Sequence, residues 1–252
     1  MKFALLLAYD GTHYRGWQTQ KNGISVQSVL ERAALDAFGK KVNIIASGRT
    51  DSGVHAAGQV CSFSADISIP AEKVADALNF RLPPDICVLR SVTAPQDFDA
   101  NRTAKAKTYC YRMYVARREH PLKSRYAVAV WPRPDIELMA KGAELFEGEH
   151  DFKAYCASGS SAKTTMRTVR SVKVSCDFSR GSEDIFVTVC GEGFLYNMVR
   201  TMAGTLLYLG LGRISLSDVQ ASVERGDRSL TGKTMPAKGL TLESVDYGFP
   251  LF

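Results

Sequence analysis

Long apolar runs are missing from this 252-residue chain. The most apolar stretch near the start, Phe3 to Ala8, is far shorter than the roughly 20 residues a membrane-spanning helix needs. Asp10 follows within two residues and no small-residue cleavage pattern comes after it, so the segment reads as a strand and not as a signal peptide. None of the six cysteines forms a C-x-x-C pair, and zinc-ligand spacing is absent. They read as reduced, buried thiols of a cytoplasmic protein. With 20 glycines and 9 prolines the chain is neither collagen-like nor of low complexity, and 45% apolar residues exclude disorder as its main state. What remains is an ordinary globular composition, long enough for one large core or two smaller ones.

Positive charge is present in excess, at net +6, and it is unevenly placed. Residues 1–100 carry 10 Lys and Arg against 10 Asp and Glu, whereas residues 101–252 carry 22 against 16. Within Arg102 to Arg125, eight basic residues (Arg102, Lys105, Lys107, Arg112, Arg117, Arg118, Lys123 and Arg125) face Glu119 alone. Such a cluster is either the footprint of a polyanion or a solvated strand face and loop, and charge by itself does not choose.

The pattern of apolar and turn residues predicts strand, helix, strand, strand, helix, strand over the first 95 residues. The strands are Lys2 to Asp10, Val42 to Ala46, Val54 to Phe63 and Ile86 to Val92. One helix is capped by Ser25 and ended by Gly39, and the other runs from Pro70 to about Phe80. This is the ferredoxin-like βαββαβ order. Further on, strands are predicted at 108–116, 170–176, 185–190 and 241–245. Helices are predicted at 134–146 and 195–209, with a short one capped by Ser217. The fold class is therefore α+β, with two lobes, 1–100 and 101–252, whose mixed, mostly antiparallel sheets join around a central cleft. A Ser/Gly/Thr-rich stretch from Ala157 to Thr165 reads as a mobile loop.

One segment stands out, Ser47-Gly48-Arg49-Thr50-Asp51-Ser52-Gly53-Val54-His55-Ala56. Two glycines bracket a cation beside an anion in a loop longer than a strand pair requires. Glycine permits close approach of another molecule, so Asp51 reads as a nucleophile or base and Arg49 as a holder of a polar or anionic group. The plainer reading is a turn in which Asp51 bonds its own backbone. His55 reads as a structural histidine.

The segment 48–56 resembles the G-R-T-D-A-G-V-H-A signature of the tRNA pseudouridine synthase A (TruA) family. Further resemblances follow in the family's order: Tyr9-Asp10-Gly11-Thr12 with Gly16-Trp17-Gln18, Ser25-Val26-Gln27 with Leu30-Glu31, Lys107-Thr108-Tyr109-Cys110-Tyr111, Phe194-Leu195 with Met198-Val199-Arg200, and Pro236-Ala237 with Gly239-Leu240. The resemblance implies a pseudouridine synthase with Asp51 as its catalytic carboxylate at the floor of the cleft. It implies that Arg49 holds RNA and the flipped base, Tyr109 stacks on that base, Arg200 pairs with the catalytic carboxylate and Leu240 packs on the uracil. Arg102, Lys105 and Lys107 would grip RNA phosphates. The implied targets are uridines 38, 39 and 40 of the tRNA anticodon arm, and the implied assembly is a homodimer.

The implied reaction breaks the bond from ribose C1′ to uracil N1, turns the base, and rejoins it through C5. It is redox-neutral and calls for no cofactor and no metal. An aromatic face returns about 1–3 kcal/mol of the few kcal/mol that extruding a base takes. Whether the aspartate attacks C6 of uracil or C1′ of ribose is open at this level. The chain departs from the family at Phe98-Asp99-Ala100-Asn101-Arg102-Thr103-Ala104, where many members carry arginine in place of Asn101. If this segment is a strand, the one-residue displacement to Arg102 turns the charge to the other face. A non-catalytic RNA-binding module suits the basic stretch but leaves Asp51 beside Arg49 unexplained. A hydrolase built on Asp51 and His55 lacks a second acid.

Overall fold

Successive side chains of the first strand, β1 (Lys2–Tyr9), point to opposite faces of a sheet, and most of them are buried. In the computed structural model, which describes residues 1–160, 162–178 and 183–252, the chain forms two compact units. The first comprises residues 1–107 and 241–252, and the second residues 108–240.

In the first unit, β1 is followed by α1 (Val26–Phe38), β2 (Ile45–Ala46), β3 (His55–Ser64), α2 (Val74–Asn79) and β4 (Ile86–Thr93). β1 lies antiparallel to both β3 and β4, and β2 lies antiparallel to β3, which gives the spatial order β4-β1-β3-β2. The last strand of the chain, β10 (Leu240–Asp246), runs parallel to β3, pairing Thr241 with His55 and Leu242 with Ala56. β2 and β10 thus share one edge of β3, at its opposite ends. Phe3, Phe38 and Phe63 stack on the helical side. On the other face Ala4, Val60, Phe98, Ala100 and Tyr247 form a second apolar cluster.

Helix α1 starts where predicted. The Ser25 hydroxyl accepts from the Ser28 backbone, Ser28 bonds back to Ser25, and Gly39 closes the helix at φ 68°. The Pro70 helix is shorter than predicted, because a 3₁₀ turn (Ala71–Lys73) precedes α2. Only Ile45 and Ala46 of the 42–46 strand pair with a neighbour. Residues 98–103 are not a strand. The Asp99 carboxylate accepts from the backbone of Asn101 and Arg102, which makes the segment a turn, so strand alternation does not govern where Arg102 points.

The second unit contains β5 (Ala106–Val115, its first two residues assigned to the first unit), β6 (Val128–Val130), α3 (Ile136–Glu144), β7 (Gly148–Asp151), β8 (Met166–Asp177), β9 (Asp184–Gly191), α4 (Met198–Gly210) and α5 (Leu216–Glu224). Its strands lie in the order β5-β9-β8-β7, with β6 parallel to β5. β6 and β7 are too short for their periodicity to show in the sequence. α4 begins at Met198 and not Leu195, because Asn197 adopts a left-handed backbone at φ 63°. The cap of α5 is Ser215, not Ser217, in a reciprocal pair with Asp218. α3 packs on α4 and on β8.

All six cysteines are free; Cys61 and Cys110 are buried, but Cys87 and Cys176 are exposed. The expectation of a mobile loop at 157–165 falls partly on residue 161, outside the described residues. No helix among the described residues is long and apolar enough to cross a membrane.

Candidate active site

The Asp51 loop leaves β2 and re-enters at β3, and the first unit holds it by backbone contacts. The N–H of Trp17 donates to the Thr50 carbonyl at 3.0 Å, and the N–H of Val54 to the Asp51 carbonyl at 3.1 Å. Gly16, at φ 83°, lies so close that a Cβ there would stand 2.6 Å from the Thr50 oxygen. A Cβ on Gly11 would stand 2.0 Å from the Val54 oxygen. The two glycines of the 9–18 segment are therefore required by contact of chain against chain. The carbonyls of Gly16 and Trp17 in turn accept from Val26 and Gln27, which ties the loop to the first turn of α1.

Side chains complete the brace. The Tyr9 hydroxyl lies 2.8 Å from that of Thr50, and burial pushes the Tyr9 phenol well above its usual range. Nδ1 of buried His55 lies 3.1 Å from the Gly11 nitrogen and 3.1 Å from an Asp10 carboxylate oxygen, so the ring anchors the preceding turn as a structural residue. At the loop's other end Ser47 donates its hydroxyl to Gln59, and Gln59 donates its amide to the Gly48 carbonyl at 2.9 Å. Asn101 donates to the Ser47 carbonyl at 2.6 Å. The residue that departs from the family pattern is thus a loop brace. Its role is not readable in sequence, where it lies far from Ser47; nor is that of Gln59, which looks like any strand residue.

Asp51 itself is half-buried and Arg49 is exposed. Arg49 has no hydrogen-bond or ion-pair partner among the described residues and is available to a ligand. Lys107 folds onto the loop's base, since a Cβ on Gly48 would touch its Nζ and Cε, both at 3.4 Å. Burial lowers the pKa of its ammonium. Arg102 is exposed in the turn and Lys105 is exposed just after it, so the three basic residues grouped in sequence occupy two environments.

The second unit carries Tyr109, Arg200 and Leu240. Tyr109 is buried with its ring set edge-on to Phe194, centroids 5.2 Å apart. Arg200 sits in the first turn of α4. It does not extend to the surface: its Nε donates to the Met235 carbonyl at 2.7 Å and another nitrogen to the Asn197 amide oxygen. Tyr111, fully buried, donates its hydroxyl to the Pro236 carbonyl at 2.7 Å. Gly239 is needed there, because a Cβ would meet the Tyr111 ring at 2.6 Å. The segment 235–240, ending in buried Leu240, is thus pinned by Arg200 and Tyr111 together.

The basic stretch is partly spent inside the protein. Lys123 makes two bonds to the Asp184 carboxylate, Arg117 stacks on Trp131 at 4.7 Å, and Glu119 is taken by Lys238. Among the described residues no cluster of three or more His, Cys, Asp and Glu side chains is placed to hold a metal.

The loop thus presents the half-buried Asp51 carboxylate from a turn braced at both ends, a geometry chemically suited to attack or proton transfer. The profile of a family described as tRNA pseudouridine synthase matches residues 6–101 and 143–248. The class is therefore that of the RNA-modifying isomerases that turn uridine into pseudouridine. Proteins named tRNA pseudouridine synthase A are similar along their whole length. That of Ruminiclostridium cellulolyticum is 39% identical over 98% of this chain and 99% of its own. That of Acetivibrio thermocellus is 41% identical over 96% and 98%, and that of Shouchella clausii 40% identical over 100% and 95%. The chain belongs to the tRNA pseudouridine synthase A (TruA) family and is a tRNA pseudouridine synthase, an isomerase.

Proposed function

We propose that this synthase converts uridines 38, 39 and 40 of the tRNA anticodon stem-loop, with Asp51 as its nucleophile. The observation that carries the reading is the Asp51 loop: three separate segments, 9–17, Gln59 and Asn101, hold one carboxylate-bearing turn in place. A surface turn needs no such support, whereas a nucleophile held to within a fraction of an ångström does. The choice of positions rests on the similarity to the synthases named above.

In this reading the Asp51 carboxylate bonds to the target nucleotide, at C1′ of the ribose or C6 of the uracil, the C1′–N1 bond breaks, the base turns and C5 bonds to C1′, and the bond to Asp51 breaks again to return the free carboxylate. The C5 proton leaves and N1 gains one, so atoms and charge balance. Tyr109 stacks on the extruded uracil, edge-supported by Phe194, and Leu240 packs on the same base. Arg200, held by Met235 and Asn197, opposes protonation of the catalytic carboxylate. Arg49 holds the RNA and the flipped base, and the basic residues after Asn101, Arg102 and Lys105 among them, take RNA phosphates and make binding salt-sensitive. The protein acts in the cytoplasm as a homodimer.

The test is pseudouridine formation on unmodified tRNA with uridine at 38, 39 and 40, comparing wild type with Asp51→Ala. Conversion at those positions by wild type alone, with tRNA binding kept in the variant, is the expected result. Conversion by Asp51→Ala would remove Asp51 from the chemistry, and conversion elsewhere in the tRNA would overturn the positions.

A further inference from the structure

Lys107 is treated by this fold differently from every other lysine of the basic stretch. It is half-buried and its ammonium is destabilised by lost hydration, yet among the described residues no carboxylate pairs with it. The carbonyls beside it are already engaged, that of Ser47 by Asn101 and that of Gly48 by Gln59. Nζ and Cε of Lys107 lie over Gly48, where a Cβ would stand 3.4 Å from both, at ordinary van der Waals distance. The arrangement is a partly desolvated cation held at the base of the Asp51 loop, with no counter-ion among the described residues. Partly desolvated cations without partners are unfavourable in a folded protein and persist where a ligand supplies the opposite charge.

The position along β5 says which anion fits. Lys107 and Tyr109 are two residues apart on one strand, so their side chains share a face about 7 Å apart. That is the scale of one nucleotide, from base to backbone. A lysine is a compact point charge and a common phosphate ligand.

We propose that Lys107 receives one phosphate flanking the target uridine and so positions that nucleotide over the Asp51 loop, a role separate from the exposed surface contacts of Arg102 and Lys105. The proposal rests on the reading of Tyr109 and Asp51 given above.

The test uses the full-length protein and tRNA in which a neutral methylphosphonate replaces the phosphate on the 5′ or the 3′ side of the target uridine. One charge-assisted contact corresponds to a loss on the order of ten- to hundredfold. Lys107→Met is expected to lose that factor in kcat/KM on all-phosphate tRNA. Wild type is expected to lose a similar factor on one of the two methylphosphonate substrates. On that substrate Lys107→Met loses nothing further, and Lys107→Arg keeps most of the activity on ordinary tRNA. Lys107→Met also unfolds no earlier than wild type at neutral pH, because it removes a desolvated charge, so lost activity is not lost folding. Losses that multiply, or a Lys107→Met protein within twofold of wild type, would overturn the proposal while leaving the enzyme reading intact. A wild-type protein that converts no uridine would overturn both.

Discussion

Replacing Gly16 by alanine tests whether the 9–17 segment sets the position of the Asp51 loop. Two penalties add. An L-residue at φ 83° is strained by about 1–2 kcal/mol. The new Cβ would also stand 2.6 Å from the Thr50 oxygen and 3.1 Å from the Asp51 carbonyl carbon, both backbone atoms that cannot rotate away. The loop must retreat by several tenths of an ångström, which weakens the bond from Trp17 to Thr50, worth about 1 kcal/mol. The expected destabilisation is about 2–3 kcal/mol, read as a lower urea midpoint. Retreat of Asp51 lowers kcat/KM by up to about a hundredfold. Gly39→Ala is the matched control, since its φ is 68° but nothing lies within 4 Å of the added methyl. It carries the strain alone, about 1 kcal/mol, and full activity. If Gly16→Ala behaves like Gly39→Ala in both assays, the brace is not what holds the loop.

Other outcomes follow from the same structure. Asn101→Ala, which frees the Ser47 carbonyl, lowers kcat/KM about tenfold with little change in tRNA binding; a change in binding alone would return Asn101 to an RNA contact. Lys123→Ala costs about 1–3 kcal/mol of stability through its bonds to Asp184 and leaves the salt dependence of tRNA binding unchanged, whereas Arg102→Ala reduces the salt slope by about 0.7–0.9 with stability intact. Tyr111→Phe strands the Pro236 carbonyl and costs about 1–2 kcal/mol in urea unfolding. The Lys107 pKa is lower in the folded protein than in the unfolded chain, so its charged form opposes folding at neutral pH. That penalty is relieved as pH rises through the folded pKa, and the stability advantage of Lys107→Met over wild type shrinks over the same range in unfolding titrations.

Local chemistry was readable from the chain alone because it acts over a few residues. The Ser25 cap, the Gly39 stop, the alternation of β1 and the glycine-bracketed Asp51 loop all depend on neighbours in sequence. The ordered motifs also pointed to the family. Elements as short as β6 and β7 carry too little periodicity to register, and the start of α4 turned on one left-handed residue, Asn197. Tertiary structure decided which polar residues serve which purpose, because those contacts join positions far apart in the chain. Asn101 became a brace for the Ser47 carbonyl, and Lys123 was spent on Asp184. Gly16 and Gly11 proved to be there for the backbone they touch. Lys107, one of eight basic residues when charge alone is counted, was set apart by its burial over Gly48 and by the absence of a paired carboxylate among the described residues, a difference of solvation and distance that charge counting does not see.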